Sequence, residues 1–131
     1  MNHRDAEAQR VNELTGKIIG SGIEVHRALG PGLLESIYEE CLCYELHQQG
    51  IKFERQKELP IHYKNVRLNS GYRIDLLVDN SLVIELKAVE YVLPVHKAQI
   101  LSYMKLLNSK IGLLMNFNVP VLKDGITRFV L

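Results

Sequence analysis

At 131 residues, with 47% hydrophobic and 24% charged residues, the chain has room for one good hydrophobic core and none for a second domain. A formal charge of +1 excludes a surface that is basic throughout, so any attraction for phosphates must come from a local patch. The opening MNHRDAEAQR is polar and lacks an apolar signal core, and no run approaches the length of a membrane span. A cytoplasmic protein with no membrane partner is therefore expected, organised as a polar segment over 1–10 and a single domain over 11–131.

Val11, Leu14, Ile18, Val25 and Leu29 recur at helical spacing, and Gly16 and Gly20 allow close packing against a neighbour. This first helix is expected to end near Gly30-Pro31-Gly32. A second helix is expected from about Leu33 to Gln49, with Leu34, Ile37, Tyr38, Cys41 and Leu42 on one apolar stripe and Gly50 as its stop. Glu35 borders that stripe and shares a face with Tyr38. A first-turn acid that complements the helix dipole is a sufficient explanation of Glu35 by itself. Cys41 and Cys43, two apart on this helix, point to different faces, which favours reduced core thiols over a disulfide or a shared metal. Five histidines lie scattered at 3, 26, 47, 62 and 96 without zinc-type spacing.

Between about Ile51 and Leu68 the odd positions Ile51, Phe53, Leu59, Ile61 and Tyr63 suggest strands, with Lys64-Asn65 as a turn and Asn69-Ser70-Gly71 as a break. Next comes YRIDLLVDNSLVIELK, Tyr72 to Lys87, where Asp79, Asn80 and Ser81 separate two strand-like runs. If these three form the hairpin loop, Val78 faces Leu82 and Asp75 falls directly opposite Glu85. Lys87, two positions beyond Glu85, shares their face, as does Val83. A slip of one residue would separate the pair.

Two ionised carboxylates held about 5 Å apart repel one another unless a cation or a shared proton compensates. Oxygen ligands beside an ammonium suit Mg²⁺, with Mn²⁺ able to substitute, because these ions prefer carboxylates, water and substrate phosphate oxygens. An E-x-K triplet alone is more often a solvent-facing stretch of ordinary strand. Here Leu82, Val83, Ile84 and Leu86 make the setting apolar, with little room for solvated charge.

Pro94 opens a third helix, expected from about Val95 to Leu107, where Gln99 and Tyr103 stack at a spacing of four with His96 close to the same face. Ile111 to Phe117 reads as a buried strand, and Ile126 to Leu131 as a short final one after Gly125. Arg55 and Lys57 on a strand, with His96, Lys97 and Lys105 on the third helix, are candidates for a local basic patch.

The chain resembles the GxxExxY proteins, small members of the PD-(D/E)XK nuclease superfamily. The resemblance rests on Gly32-Leu33-Leu34-Glu35-Ser36-Ile37-Tyr38, the preceding Glu24-Val25-His26-Arg27-Ala28-Leu29-Gly30-Pro31, the Asp75/Glu85/Lys87 core, and Gly112-Leu113-Leu114-Met115-Asn116-Phe117. Ile74 stands where the superfamily's eponymous proline would be, a position that commonly varies. Gln99 and Tyr103 resemble the QxxxY motif of RecB-like nucleases.

The resemblance implies an α/β fold with a restriction-endonuclease-like αβββαβ core, its mixed central sheet flanked by helices. It also implies a Mg²⁺-dependent hydrolysis of phosphodiesters in nucleic acid, with DNA the expected substrate. Asp75 and Glu85 would hold the ion together with the Leu86 carbonyl, Glu35 would add a carboxylate directly or through water, and Lys87 would position or activate the attacking water. Tyr38, Gln99 and Tyr103 would support the site or touch nucleic acid. An alternative is a non-catalytic nucleic-acid-binding or regulatory module working in a homo-oligomer or with a protein partner, and a third reading is a hydrolase of a small phosphorylated molecule.

Overall fold

The computed structural model describes residues 2–69 and 71–131; Ser70, in the break expected at Asn69-Ser70-Gly71, lies outside them. Helix α1 spans His3–Leu29, capped by the Asn2 side chain, which accepts the Asp5 N–H at 2.9 Å. The polar residues of the N-terminal segment thus form the first, exposed turns of a helix rather than a lead-in to it. The helix stops at Gly30, whose φ of 70° suits glycine.

Helix α2 runs Glu35–Gln48, two residues later in its start than the expected Leu33. The reason is a bond from the Leu33 N–H to the Tyr38 hydroxyl, 3.1 Å, which keeps the Gly30–Leu34 connection in a loop; the same hydroxyl donates to the Gly30 carbonyl at 2.6 Å.

Strands follow as β1 (Phe53–Glu58), β2 (Ile61–Tyr63), β3 (Val66–Leu68), β4 (Arg73–Val78) and β5 (Leu82–Lys87), then helix α3 (Pro94–Leu106), β6 (Ile111–Asn116), a 3-10 turn at Leu122–Gly125 and β7 (Ile126–Val130). The main sheet has the order β1-β4-β5-β6-β7, antiparallel except for the parallel β5–β6 pair that α3 connects. This is the mixed α/β architecture of the restriction-endonuclease-like fold. Strands β2 and β3 pair only with each other, turning at Lys64-Asn65.

One core lies between the sheet and the first two helices, built from Ile18, Val25, Tyr38, Leu42 and Leu46 against Leu76, Val78, Leu82, Ile84, Leu86, Leu113 and Met115. A second core faces α3, where Ile100 and Met104 pack on Ile74, Leu77, Val83 and Leu114. Helices on both faces explain why β5 and β6 are mostly apolar. Cys43 is buried in the first core, which pushes its thiol up to about 11, and both cysteines are free. Among the described residues no helix is long and apolar enough to cross a membrane.

Candidate functional site

The β4–β5 ladder pairs Val78 with Leu82, Leu77 with Val83 and Leu76 with Ile84, then stops one step before Asp75 and Glu85. There side chains replace the ladder. The Leu86 N–H donates to Asp75 Oδ2 at 2.7 Å, and the Asp75 N–H donates to Glu85 Oε1 at 3.1 Å. On the other edge of β4 the β1 pairing skips Asp75 as well, passing from Arg55–Leu76 to Lys57–Ile74. Ile74 packs on the α3 side with Leu77, whereas strict alternation would place it with Leu76. The sheet is therefore irregular on both sides of Asp75, and there each carboxylate takes a backbone N–H of the opposing strand, Asp75 from Leu86 and Glu85 from Asp75.

Burial makes the charge costly. Glu85 is 8% exposed, and burial, reinforced by the Asp75 carboxylate, pushes its carboxyl up to about 8. Burial also raises Asp75, with the Leu86 N–H, the Gln56 amide and Lys87 pulling the other way. Glu35 is raised by burial and then by Asp75. Lys87 lowers all three, so its ammonium lies within electrostatic reach of each acid.

Glu35 opens α2, and Tyr38 determines where. Tyr38 is fully buried, stacked on Phe117 with ring centroids 4.5 Å apart, and its hydroxyl ties down Gly30 and Leu33. Its place is under the site, out of reach of nucleic acid. At the exit of β5, the buried Asn116 accepts the Val89 N–H at 3.1 Å and donates to the Val89 carbonyl at 2.9 Å, which fixes the chain just after Lys87.

On α3, Tyr103 is half-buried, raised by burial and then by Glu85, and its ring lies 6.4 Å from that of Tyr72. Gln99, one turn earlier, is also half-buried. The helix thus brings Tyr103 up to the acids.

A family model described as the PD-(D/E)XK nuclease superfamily matches residues 12–129. The chain belongs to that superfamily. Neither the curated proteins nor the solved structures contain a match. PD-(D/E)XK proteins are usually phosphodiester-cleaving nucleases and generally use divalent metal ions.

The oxygens here suit such an ion. Asp75 and Glu85 are hard donors, each hydrogen bond to them uses one lone pair of an oxygen that has two, and a pair with raised proton affinity is relieved by a cation. Along β5 the Lys87 carbonyl accepts from Phe117 at 2.8 Å, so alternation turns the Leu86 carbonyl, like its N–H, toward β4. Among the described residues no three His, Cys, Asp or Glu side chains converge as a ready-made cage. Two carboxylates and retained water are the usual protein contribution to a Mg²⁺ site.

Two neighbours of this PD-(D/E)XK site went unread in the sequence. Glu39 is 7% exposed, and its carboxylate accepts from Arg55 Nη2 at 2.9 Å and from Gln56 Nε2 at 2.7 Å. Gln56 Nε2 also reaches Asp75 Oδ1 at 3.2 Å. The spacing of four from Glu35 to Glu39 was a usable signal, since it puts both on one helical face; nothing in the sequence marks Gln56. The expected basic patch is corrected in part. Arg55 is paired with Glu39 and Glu40, Lys57 with Glu54 at 3.0 Å, and His96 Nδ1 accepts the Leu93 N–H at the start of α3.

Proposed function

We propose that this chain is a Mg²⁺-dependent nuclease that hydrolyses phosphodiester bonds in DNA, of the GxxExxY type, with residues 11–131 as the functional unit. The observation that carries the proposal is the break in the ladder at Asp75 and Glu85, where a half-buried and a buried carboxylate, both of raised proton affinity, stand within the field of one lysine. A regular sheet would give its hydrogen bonds to the backbone; here they hold acids in place.

Asp75, Glu85 and the Leu86 carbonyl hold the ion, which when bound supplies Lewis-acid polarisation of the phosphate and neutralises developing charge. Lys87 orients the attacking water and stabilises negative charge gathering on the phosphoryl oxygens. Glu35, within electrostatic reach of Asp75 and Lys87, adds its carboxylate directly or through water. Gln99 and Tyr103 form a QxxxY pair that lines the α3 side, Tyr103 offering its hydroxyl near Glu85 and Gln99 its amide to the phosphate backbone. Tyr38 acts by holding the loop from which Glu35 starts.

A second reading is a nucleic-acid-binding module, and its need for a partner draws support from the ion-paired state of Arg55 and Lys57, which leaves little positive charge on β1 to hold phosphates unaided. Cleavage of labelled single- and double-stranded DNA and RNA by purified protein, with Mg²⁺ or Mn²⁺ against EDTA, separates the two. The nuclease reading expects metal-dependent cleavage that Lys87→Ala reduces by about 10²- to 10⁴-fold. Binding without cleavage would move the assignment to the module.

A further inference from the structure

We infer that Gln56 is a positioning residue of the site, an amide bridge that fixes the metal-binding carboxylate of Asp75 from the buried Glu39. The inference rests on the metal-dependent reading above and adds to it a residue, an atom and a direction of effect.

Five described residues other than glycine have positive φ. Lys64, Asp79, Asn80 and Asn108 lie in turns, while Gln56, at φ 49°, lies inside strand β1. A left-handed residue within a strand interrupts pairing, and glutamine has no special tolerance for that conformation. Packing does not demand it, because Gln56 is exposed. The conformation has two visible products: it sends the side chain to Asp75, at the position where the β1–β4 pairing is skipped, and it leaves the Gln56 carbonyl to accept from Arg73 Nη1 at 3.0 Å.

Both side-chain bonds leave from the same nitrogen. Nε2 donates to Glu39 Oε1 at 2.7 Å and to Asp75 Oδ1 at 3.2 Å. An amide nitrogen carries two hydrogens, and ionised carboxylates only accept, so this orientation of the amide is the one that satisfies both. Glu39 in turn is held by Arg55. The series Arg55, Glu39, Gln56, Asp75 therefore alternates donor and acceptor from a guanidinium to the carboxylate of the site, with the Leu86 N–H closing the far side on Asp75 Oδ2. Asp75 is bonded on both oxygens, which fixes its plane. Partners of this kind orient a ligand and tune its affinity for the ion.

The test is a titration with Mn²⁺, followed by its electron paramagnetic resonance signal, on the wild type, Gln56→Asn, Gln56→Gly and Asp75→Ala. Asparagine and glycine both tolerate positive φ, so neither variant strains β1, but asparagine is one methylene short and glycine has no amide. The expected result is a Mn²⁺ Kd weakened about 10- to 100-fold in both Gln56 variants, with a cooperative metal-free melting transition retained, and binding abolished in Asp75→Ala. Wild-type affinity in both Gln56 variants, with binding still lost in Asp75→Ala, would overturn the bridge and leave the metal site standing. Mn²⁺ bound equally by Asp75→Ala, or not bound by the wild type, would overturn both.

Discussion

Glu85→Gln tests whether the acids at the end of β5 are held in a state that awaits a cation. In the metal-free protein the Glu85 carboxyl sits at about 8 against an ordinary 4.5. Between those values the folded chain keeps a proton that the unfolded chain has released, so the free energy of unfolding falls as pH rises. The stabilisation is complete below about pH 4.5 and is lost as pH passes through about 8. Each unit of the gap corresponds to about 1.4 kcal/mol, which makes the penalty several kcal/mol in alkaline solution. Glutamine retains an oxygen to accept the Asp75 N–H and cannot ionise. In EDTA, urea unfolding from pH 5 to 9 should show the wild type weakening steadily and Glu85→Gln following a flatter course. The two should be similar at pH 5 and the variant more stable at pH 9. Mn²⁺ at pH 8 should restore the wild type, since a ligand that binds only the folded state stabilises it, and should do little for the variant. Parallel pH curves in EDTA would refute the claim that burial beside Asp75 governs this carboxyl.

Two further outcomes follow from the packing around the site. Tyr38→Phe leaves the Gly30 carbonyl and the Leu33 N–H without their shared partner, and should cost about 1–3 kcal/mol, read as a lower urea midpoint at unchanged m. Because that hydroxyl fixes the loop before α2, the same variant should also lower cleavage through Glu35. Gly112→Ala should cost about 1–3 kcal/mol in the same assay, because a Cβ there would lie 2.6 Å from Met104 Sδ and 3.3 Å from Ile100 Cδ1, pushing α3 away from β6.

The hairpin was legible because its turn chemistry and its alternation agree. Asp79, Asn80 and Ser81 are turn formers, Asp79 and Asn80 take positive φ, and the register Val78–Leu82 follows from a three-residue loop. The sheet was legible too, since β5 and β6 are mostly apolar, Glu85, Lys87 and Asn116 apart, as strands covered on both faces are. What escaped was every feature that depends on a departure from regularity. Counting along two ideal strands places Asp75 opposite Glu85, but it cannot show that the ladder ends there and that each carboxylate takes a backbone N–H from the opposing strand. Gln56 was invisible for the same reason: alternation assigns its side chain a face, whereas its left-handed backbone assigns it a partner. The start of α2 was misplaced by two residues because the bond that sets it comes from Tyr38, five residues beyond Leu33.

The location of the open space bears on what the site can accept. A cleft of about 590 Å³ lies among Arg4, Val11, Asn80, Ser81, Lys110 and Arg128, at the beginnings of β5 and β6. Glu85 lies four residues beyond Ser81 along β5, which puts it on the order of 13 Å from the cleft. A hydrolase of a small phosphorylated molecule needs its acids inside a pocket that encloses the ligand. A polymer substrate makes no such demand, because the phosphodiester must reach the acids while the rest of the chain runs past. Acids set away from this cleft suit a substrate that runs across the surface, and the cleavage panel asks which nucleic acid, single- or double-stranded, DNA or RNA, reaches them.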